Sequence, residues 1–164
     1  MSQSLQHQVI EAFKKRQWTL GFAESCTKGL VSYQAAQIPG VSKIYKGAVV
    51  SYSSLVKEEV LGVPYALIKT HSAESAPVAK MMAEGARQVL NAHVALSVTG
   101  LAGPSGDTAS KPVGLVFIAV VGPGFEKVER HIFTGSNGKT LSREEIQLEA
   151  AKRAWVLLNE VLQN

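Results

Sequence analysis

Cysteine is nearly missing from these 164 residues, with Cys26 the only one. An intrachain disulfide and a multi-cysteine metal site are thereby excluded, and what remains is a reactive thiol or a small packed side chain. Aspartate is equally scarce: Asp107 stands alone and every other acidic residue is glutamate, which argues against an aspartate-based metal site. His7, His71, His93 and His131 lie far apart, with no pair at i, i+4, so no metal is expected. No apolar run approaches the roughly 20 residues that span a bilayer. The stretch from Met1 to Gln8 is polar and has no signal-peptide core, so no membrane contact and a cytoplasmic location are expected. Basic residues are scattered, without a cationic stretch interleaved with aromatics, and nucleic acid is not an expected partner. The net charge of +4 suits a small anionic substrate or a solvated basic surface. Gly135 to Thr140 ends like a phosphate-binding loop, but that motif needs glycine where Phe133 stands.

What is present reads as one α/β domain over residues 1–164, since 46% hydrophobic residues can cover both faces of a sheet. Leu5, Val9, Ile10 and Phe13 recur at helical spacing, predicting a first helix to about Arg16. A short strand follows over Trp18 to Ala23, then a turn, Glu24-Ser25-Cys26-Thr27, and a helix over Leu30 to Gln37 stopped by Pro39-Gly40. This places Ser25 at a helix N-terminus. A second strand is expected over Ala48 to Tyr52, then a short helix capped at Ser53-Ser54 and carrying Lys57 to Leu61. Pro64 starts another helical turn, and Ser75 caps a helix whose Val78, Met82, Ala86 and Leu90 form one stripe. Val94, Leu96 and Val98 alternate as a third strand. Val113 to Val121 is an apolar run expected of a strand covered on both faces. Between these two strands, Gly100 to Pro112 is a long Gly/Pro-rich loop, a length more often functional than idle. Glu126 to Phe133 reads as a charged edge strand, and a last helix begins near Arg143 behind a Ser142/Glu145 capping box.

Side chains at strand-to-helix junctions gather at one edge of an α/β sheet. Ser25 occupies one such junction, and Tyr52 and Lys57 flank another, so a serine nucleophile with a lysine base is the economical arrangement. An N-cap serine and a surface lysine are the plain alternatives. To act as a base, Lys57 needs its pKa lowered by burial or a nearby cation, and Val56 and Val60 are candidates to bury it. Cys26, beside Ser25, is either a packed side chain or a second candidate nucleophile, because a helix N-terminus favours a thiolate. Backbone N–H groups of Cys26 and Thr27 are candidate oxyanion donors. Arg143 opposes the dipole of the helix it begins, and a bound phosphate would give it a reason to be there.

Ala23-Glu24-Ser25-Cys26-Thr27, then Val50-Ser51-Tyr52-Ser53 with Lys57, then Ser97-Val98-Thr99-Gly100-Leu101-Ala102-Gly103-Pro104, then Lys111-Pro112-Val113-Gly114, together resemble the CinA C-terminal domain family. Its members include nicotinamide mononucleotide (NMN) deamidases of the PncC type. The resemblance covers nearly the whole chain. It implies a three-layer α/β/α sandwich with a mixed central sheet, and hydrolysis of the carboxamide of NMN to nicotinate mononucleotide and ammonia, without a cofactor. By that resemblance Ser25 is the nucleophile, Lys57 its base and Tyr52 a hydrogen-bonding partner. Ser42, Thr99 and Gly100 match positions near the nucleotide, and Arg143 aligns with an arginine at the start of the last helix. A homo-oligomer, a dimer, is the implied assembly. A nucleotide-binding or regulatory domain of the same fold, or an amidase for another small amide, are the alternatives.

The chain departs from the family pattern at named places. Lys28-Gly29 stands where two glycines are usual, setting a cationic side chain beside Ser25, where it would crowd the site, reach a phosphate or lower the pKa of Lys57. Ser54 replaces an asparagine, Glu74 and Ala76 interrupt a Gly-Ala-Val-Ser-Glu-like segment, and Ser136-Asn137 replaces Asp-Arg.

Overall fold

The structure, a computed structural model, describes residues 4–163. Ser4 caps the first helix, α1 (Leu5–Arg16), whose Val9, Ile10 and Phe13 are buried. The strands are β1 (Leu20–Glu24), β2 (Tyr45–Val50), β3 (Val94–Gly100), β4 (Leu115–Gly122) and β5 (Phe125–Ile132). They form one sheet in the order β2-β1-β3-β4-β5. The first three are mutually parallel, and β4 and β5 are added antiparallel, so the sheet is mixed as expected. Between β1 and β2 run α2 (Leu30–Ala36) and a 3-10 turn, Val41–Lys43; α3 (Ser54–Glu59), α4 (Tyr65–His71) and α5 (Ala76–Val89) join β2 to β3, and α6 (Arg143–Gln163) closes the chain. Among the described residues no helix is long and apolar enough to cross a membrane.

The period-2 alternation of side chains sorts the strands onto two helical layers. Leu20 and Phe22 of β1, Val94, Leu96 and Val98 of β3, and Val116, Ile118 and Val120 of β4 face one layer, where they join buried residues of α1, α2 and α6. Trp155 of α6 lies edge-on to Phe22 at 6.0 Å and donates its indole N–H to Gln34 of α2 at 2.8 Å. Residues of opposite parity face α5 and are small on the central strands, with Ala23, Ala95 and Ala119 meeting Val78, Ala79, Met82, Ala83 and Ala86. Small residues on both partners let α5 lie close to the sheet, close enough that Ser97 donates its hydroxyl to the Ala79 carbonyl at 2.5 Å. Gly85 serves the same approach on the far side of α5, where a β-carbon would run into the Leu61 backbone.

Several element boundaries differ from the sequence reading: β1 runs Leu20–Glu24 where Trp18 to Ala23 is expected, α3 ends at Glu59 short of Leu61, and β5 runs Phe125–Ile132, one residue early. β2 begins at Tyr45 and ends at Val50, earlier than expected, because pairing with Leu20–Glu24 sets its register. β4 starts at Leu115, two residues late, after Gly114 adopts φ 93°. The edge position of β5 agrees with its charged pattern.

β5 is fastened to α6 by an ion-pair network. Arg153 donates twice to Glu129, at 2.7 and 2.6 Å, and also pairs with Glu160, which Lys127 meets at 2.8 Å. These bonds, the Arg153 pair foremost, hold the Glu129 carboxyl at about 2. A depressed carboxylate pKa contributes stability above the unfolded value, near 4.3, and that contribution drains away as pH falls towards the folded value. Glu129→Gln is therefore expected to lose about 1–2 kcal/mol near neutral pH. Its deficit should shrink between pH 4.5 and 2, roughly the window between the two pKa values. Urea unfolding across that range measures it, and a pH-independent deficit contradicts the assignment.

Candidate active site

The carboxyl ends of β1, β2 and β3 lie along one edge of the sheet. β1 sits between the other two, and its outgoing helix α2 packs on one face while α5, following β2, packs on the opposite one. A crevice opens where connections part in this way, which is where open α/β sheets bind ligands. Ser25 is the first residue beyond β1. Its N–H donates to Val98 O at 2.9 Å, and Ser51 N–H donates to Glu24 O at 2.8 Å, so both neighbouring ladders run on to the point where the chain turns.

The turn is built around Glu24. This side chain is fully buried, and its two oxygens accept from the Thr27 hydroxyl (2.7 Å) and from the N–H groups of Gly29 (3.0 Å), Val31 (3.1 Å) and Ser32 (2.8 Å). Three of those donors belong to the start of α2, which has Gly29 at its N-cap. The carboxylate therefore does what a capping side chain does, from the preceding strand. The sequence reading missed Glu24. Its signal was available: a glutamate at the end of an otherwise apolar strand, followed by five residues before the helix pattern begins.

This arrangement corrects the placement of Ser25. It does not stand at the N-terminus of α2 but four residues ahead of Gly29, in a turn closed by Lys28 N–H to Ser25 O and Leu30 N–H to Thr27 O. The same fact argues against a thiolate at Cys26. Away from the helix terminus and buried, its thiol is pushed up to about 12, chiefly by burial. Cys26 contributes backbone instead, and Gln147 of α6 clamps its carbonyl at 2.8 Å.

Lys57 comes to Ser25 from α3. Ser53 caps that helix through Val56 N–H, and the lysine points inward, 1% exposed, with Nζ 3.0 Å from Ser25 Oγ and 2.7 Å from Ser51 O. Burial lowers its pKa from the ordinary lysine value, against an opposing pull from Glu74. Val60, expected to help enclose it, is 42% exposed, because Lys57 lies on the helix face turned to the sheet edge while Val60 looks outward.

In front of Ser25 lies a cleft of about 230 Å³, lined by Ser25, Cys26, Tyr52, Glu74, Gly100, Leu101, Ala102, Gly103, Ser105 and Arg143. The long loop after β3 is thus one wall. Gly100 is needed there, since a β-carbon would collide with the backbone of Leu115 and Val116. Arg143 enters from the first turn of α6, behind the expected capping box, in which Ser142 Oγ accepts from Glu145 N–H and Glu145 accepts from Ser142 N–H.

Other candidates are placed differently. Tyr52 reaches the rim of the cleft, 60% exposed, and packs its ring under Lys28 Nζ at 5.4 Å instead of bonding Ser25 or Lys57. The Thr27 hydroxyl is committed to Glu24. Thr99 is 1% exposed, and its hydroxyl holds Ala73 O at 3.0 Å, tying β3 to the segment that carries Glu74. Ser42 lies in the 3-10 turn before β2, at the opposite edge of the sheet, and within one chain does not approach Ser25. Lys28 neither crowds Ser25 nor joins a helical turn. It adopts φ 52° ahead of α2, a conformation that favours glycine and explains why two glycines suit this place. Ser136 and Asn137 lie outside the cleft, and Ser54 is an exposed residue at the start of α3. Among the described residues no three His, Cys, Asp or Glu side chains gather as a metal set.

Residues 2–162 match the model of the CinA C-terminal domain. The chain belongs to the CinA C-terminal domain family. A CinA-like protein of Syntrophobacter fumaroxidans is 43% identical over 96% of this chain and 36% of its own length, and one of Prochlorococcus marinus 41% identical over 93% and 35%. The chain thus spans about a third of the length of these curated relatives. Among solved structures, the competence/damage inducible protein CihA of Agrobacterium tumefaciens superposes over 100% of both chains with TM-score 0.90 at 32% identity. A CinA superfamily protein of Klebsiella pneumoniae does so over 97% of this chain and 96% of its own, with TM-score 0.89 at 30% identity. The CinA-family α/β fold expected from the motifs is therefore the fold of this chain.

Proposed function

We propose that this CinA-family chain is an amidohydrolase that hydrolyses the carboxamide of NMN to nicotinate mononucleotide and ammonia. The observation that carries the reading is the buried Lys57 amine, 3.0 Å from Ser25 Oγ, with its pKa lowered by burial. An amide is a poor electrophile, so its attack needs an activated oxygen, donors for the oxyanion, and a proton for the departing amine. Neutral Lys57 takes the Ser25 proton as Oγ adds to the carboxamide carbon, then returns it to the nitrogen, which leaves as ammonia. Water repeats the addition on the acyl-enzyme, restoring Ser25. The amides of Cys26 and Thr27, which follow Ser25 in the same turn, are the donors this mechanism assigns to the oxyanion.

The resident cation Arg143 is assigned to the substrate phosphate. Tyr52 becomes a wall residue for the nucleotide in place of a proton relay, in keeping with its position at the rim. The resemblance's dimer is carried as part of the proposal, with the open edge of β2 and the exposed Val50, Tyr52 and Leu55 beside it in support. Light scattering of the purified protein decides that point.

The test of the reading is ammonia release by the purified chain from NMN and from its dephosphorylated riboside. Turnover of NMN is expected, and no turnover of NMN or binding of it sinks the proposal. Arg143→Ala should raise KM for NMN by about tenfold or more, as loss of a charge-assisted phosphate contact does, and leave the riboside unaffected.

A further inference from the structure

We propose that Glu74 is a specificity-determining residue, its carboxylate selecting a substrate whose ring carries a positive charge, as an N-substituted pyridinium does. This rests on the nicotinamide-nucleotide reading above and adds to it the group that reads ring charge. Glu74 and Arg143 line the same cleft as Ser25, and among the described residues neither is joined to the protein by an ion pair. A cleft that keeps a cation and an anion outside any ion pair, the anion within electrostatic reach of the buried Lys57 amine that the mechanism uses in its neutral form, is matched by a ligand carrying both signs. For a ligand that is only anionic, the glutamate works against the arginine.

The backbone that carries this side chain is held in place. Thr99 Oγ1 holds Ala73 O at 3.0 Å, Ser72 Oγ donates to Glu74 O at 3.2 Å, and Ser75 Oγ donates to Ser72 O at 2.9 Å. The backbone on both sides of Glu74 is thereby fixed to the end of β3 and the start of α5. A partly buried carboxylate whose backbone is anchored at the cleft keeps its charge close to the bound ligand, which is what a selector of charge requires.

The experiment compares NMN with its 1,4-dihydro form, which keeps the carboxamide and the phosphate and loses the ring charge. Binding is measured by calorimetry on Ser25→Ala, so that no turnover intervenes. NMN should bind about tenfold or more tighter than the dihydro form, the scale expected for one partly screened charge pair. Adding Glu74→Gln should bring the two affinities to within about twofold, whereas adding Arg143→Ala should weaken both forms alike. Glu74→Val repeats the measurement with a second neutral side chain should the glutamine variant not fold. An unchanged preference for NMN in a folded, neutral Glu74 variant overturns the inference and leaves the deamidase reading standing. Failure of both forms to bind, with no ammonia release by the wild type, overturns the two together.

Discussion

Ser25→Ala is expected to lower ammonia release from NMN by roughly 10⁴-fold or more, and Lys57→Ala by about 10²–10⁴-fold, the usual costs of losing a nucleophile and a general base. Lys57→Arg should not rescue the loss, because a guanidinium stays protonated and has no lone pair to offer Ser25 Oγ. Cys26→Ser should keep turnover within a few-fold, since a buried thiol pushed up to about 12 holds no thiolate at neutral pH. The pH profile carries a sign of its own. Only the neutral amine is a base, so the rate rises with pH through the folded pKa of Lys57. Burial has moved that pKa below 10.5, with Glu74 and Cys26 on the opposing side. The ascending limb should therefore lie below the ordinary lysine value and vanish in Lys57→Ala. Full activity in Ser25→Ala with loss in Cys26→Ser would reassign the chemistry to the thiol.

The second large effect falls on Glu24. Its removal in Glu24→Ala leaves four donors of the Ser25 turn and the start of α2, two buried and two partly buried, without acceptors. Loss of a buried, multiply bonded charged acceptor costs about 3–5 kcal/mol. Urea unfolding reads the stability change. Glu24→Gln keeps the shape but turns an amide NH₂ towards groups that already donate, so an intermediate cost is expected. Turnover by the folded fraction of either variant should fall as well, with kcat affected more than KM, because Ser25 follows Glu24 directly and depends on that turn for its aim at Lys57. Wild-type stability and turnover in Glu24→Ala would show that the turn is held by other means.

How far the site was legible depends on how local each determinant is. The caps at Ser53, Ser75 and Ser142 lie within three residues of the donors they satisfy, and each was readable from spacing. The strands were readable from alternation, because one residue in two must leave the solvent whatever the neighbouring strand is. β2 was placed late, because its register is set by β1, twenty-odd residues away in the chain, and its own residues are only half buried. Glu24 was passed over because its partners are backbone N–H groups, which carry no sequence signature. The structural role of Thr99 is not legible in the sequence because its hydroxyl's commitment to Ala73 is a tertiary bond.

By itself the sequence determined that this is an α/β chain of the CinA pattern, with Ser25, Lys57 and Arg143 at junctions where side chains converge, since periodicity, capping and motif order are local properties. Only the tertiary structure decided that Lys57 is buried against Ser25, that Cys26 is buried, that Tyr52 stands at the rim, and that Glu74 shares the cleft with Arg143. Those outcomes depend on which strand lies beside β1 and on how much water is excluded there, and a sequence read along one dimension does not contain either quantity.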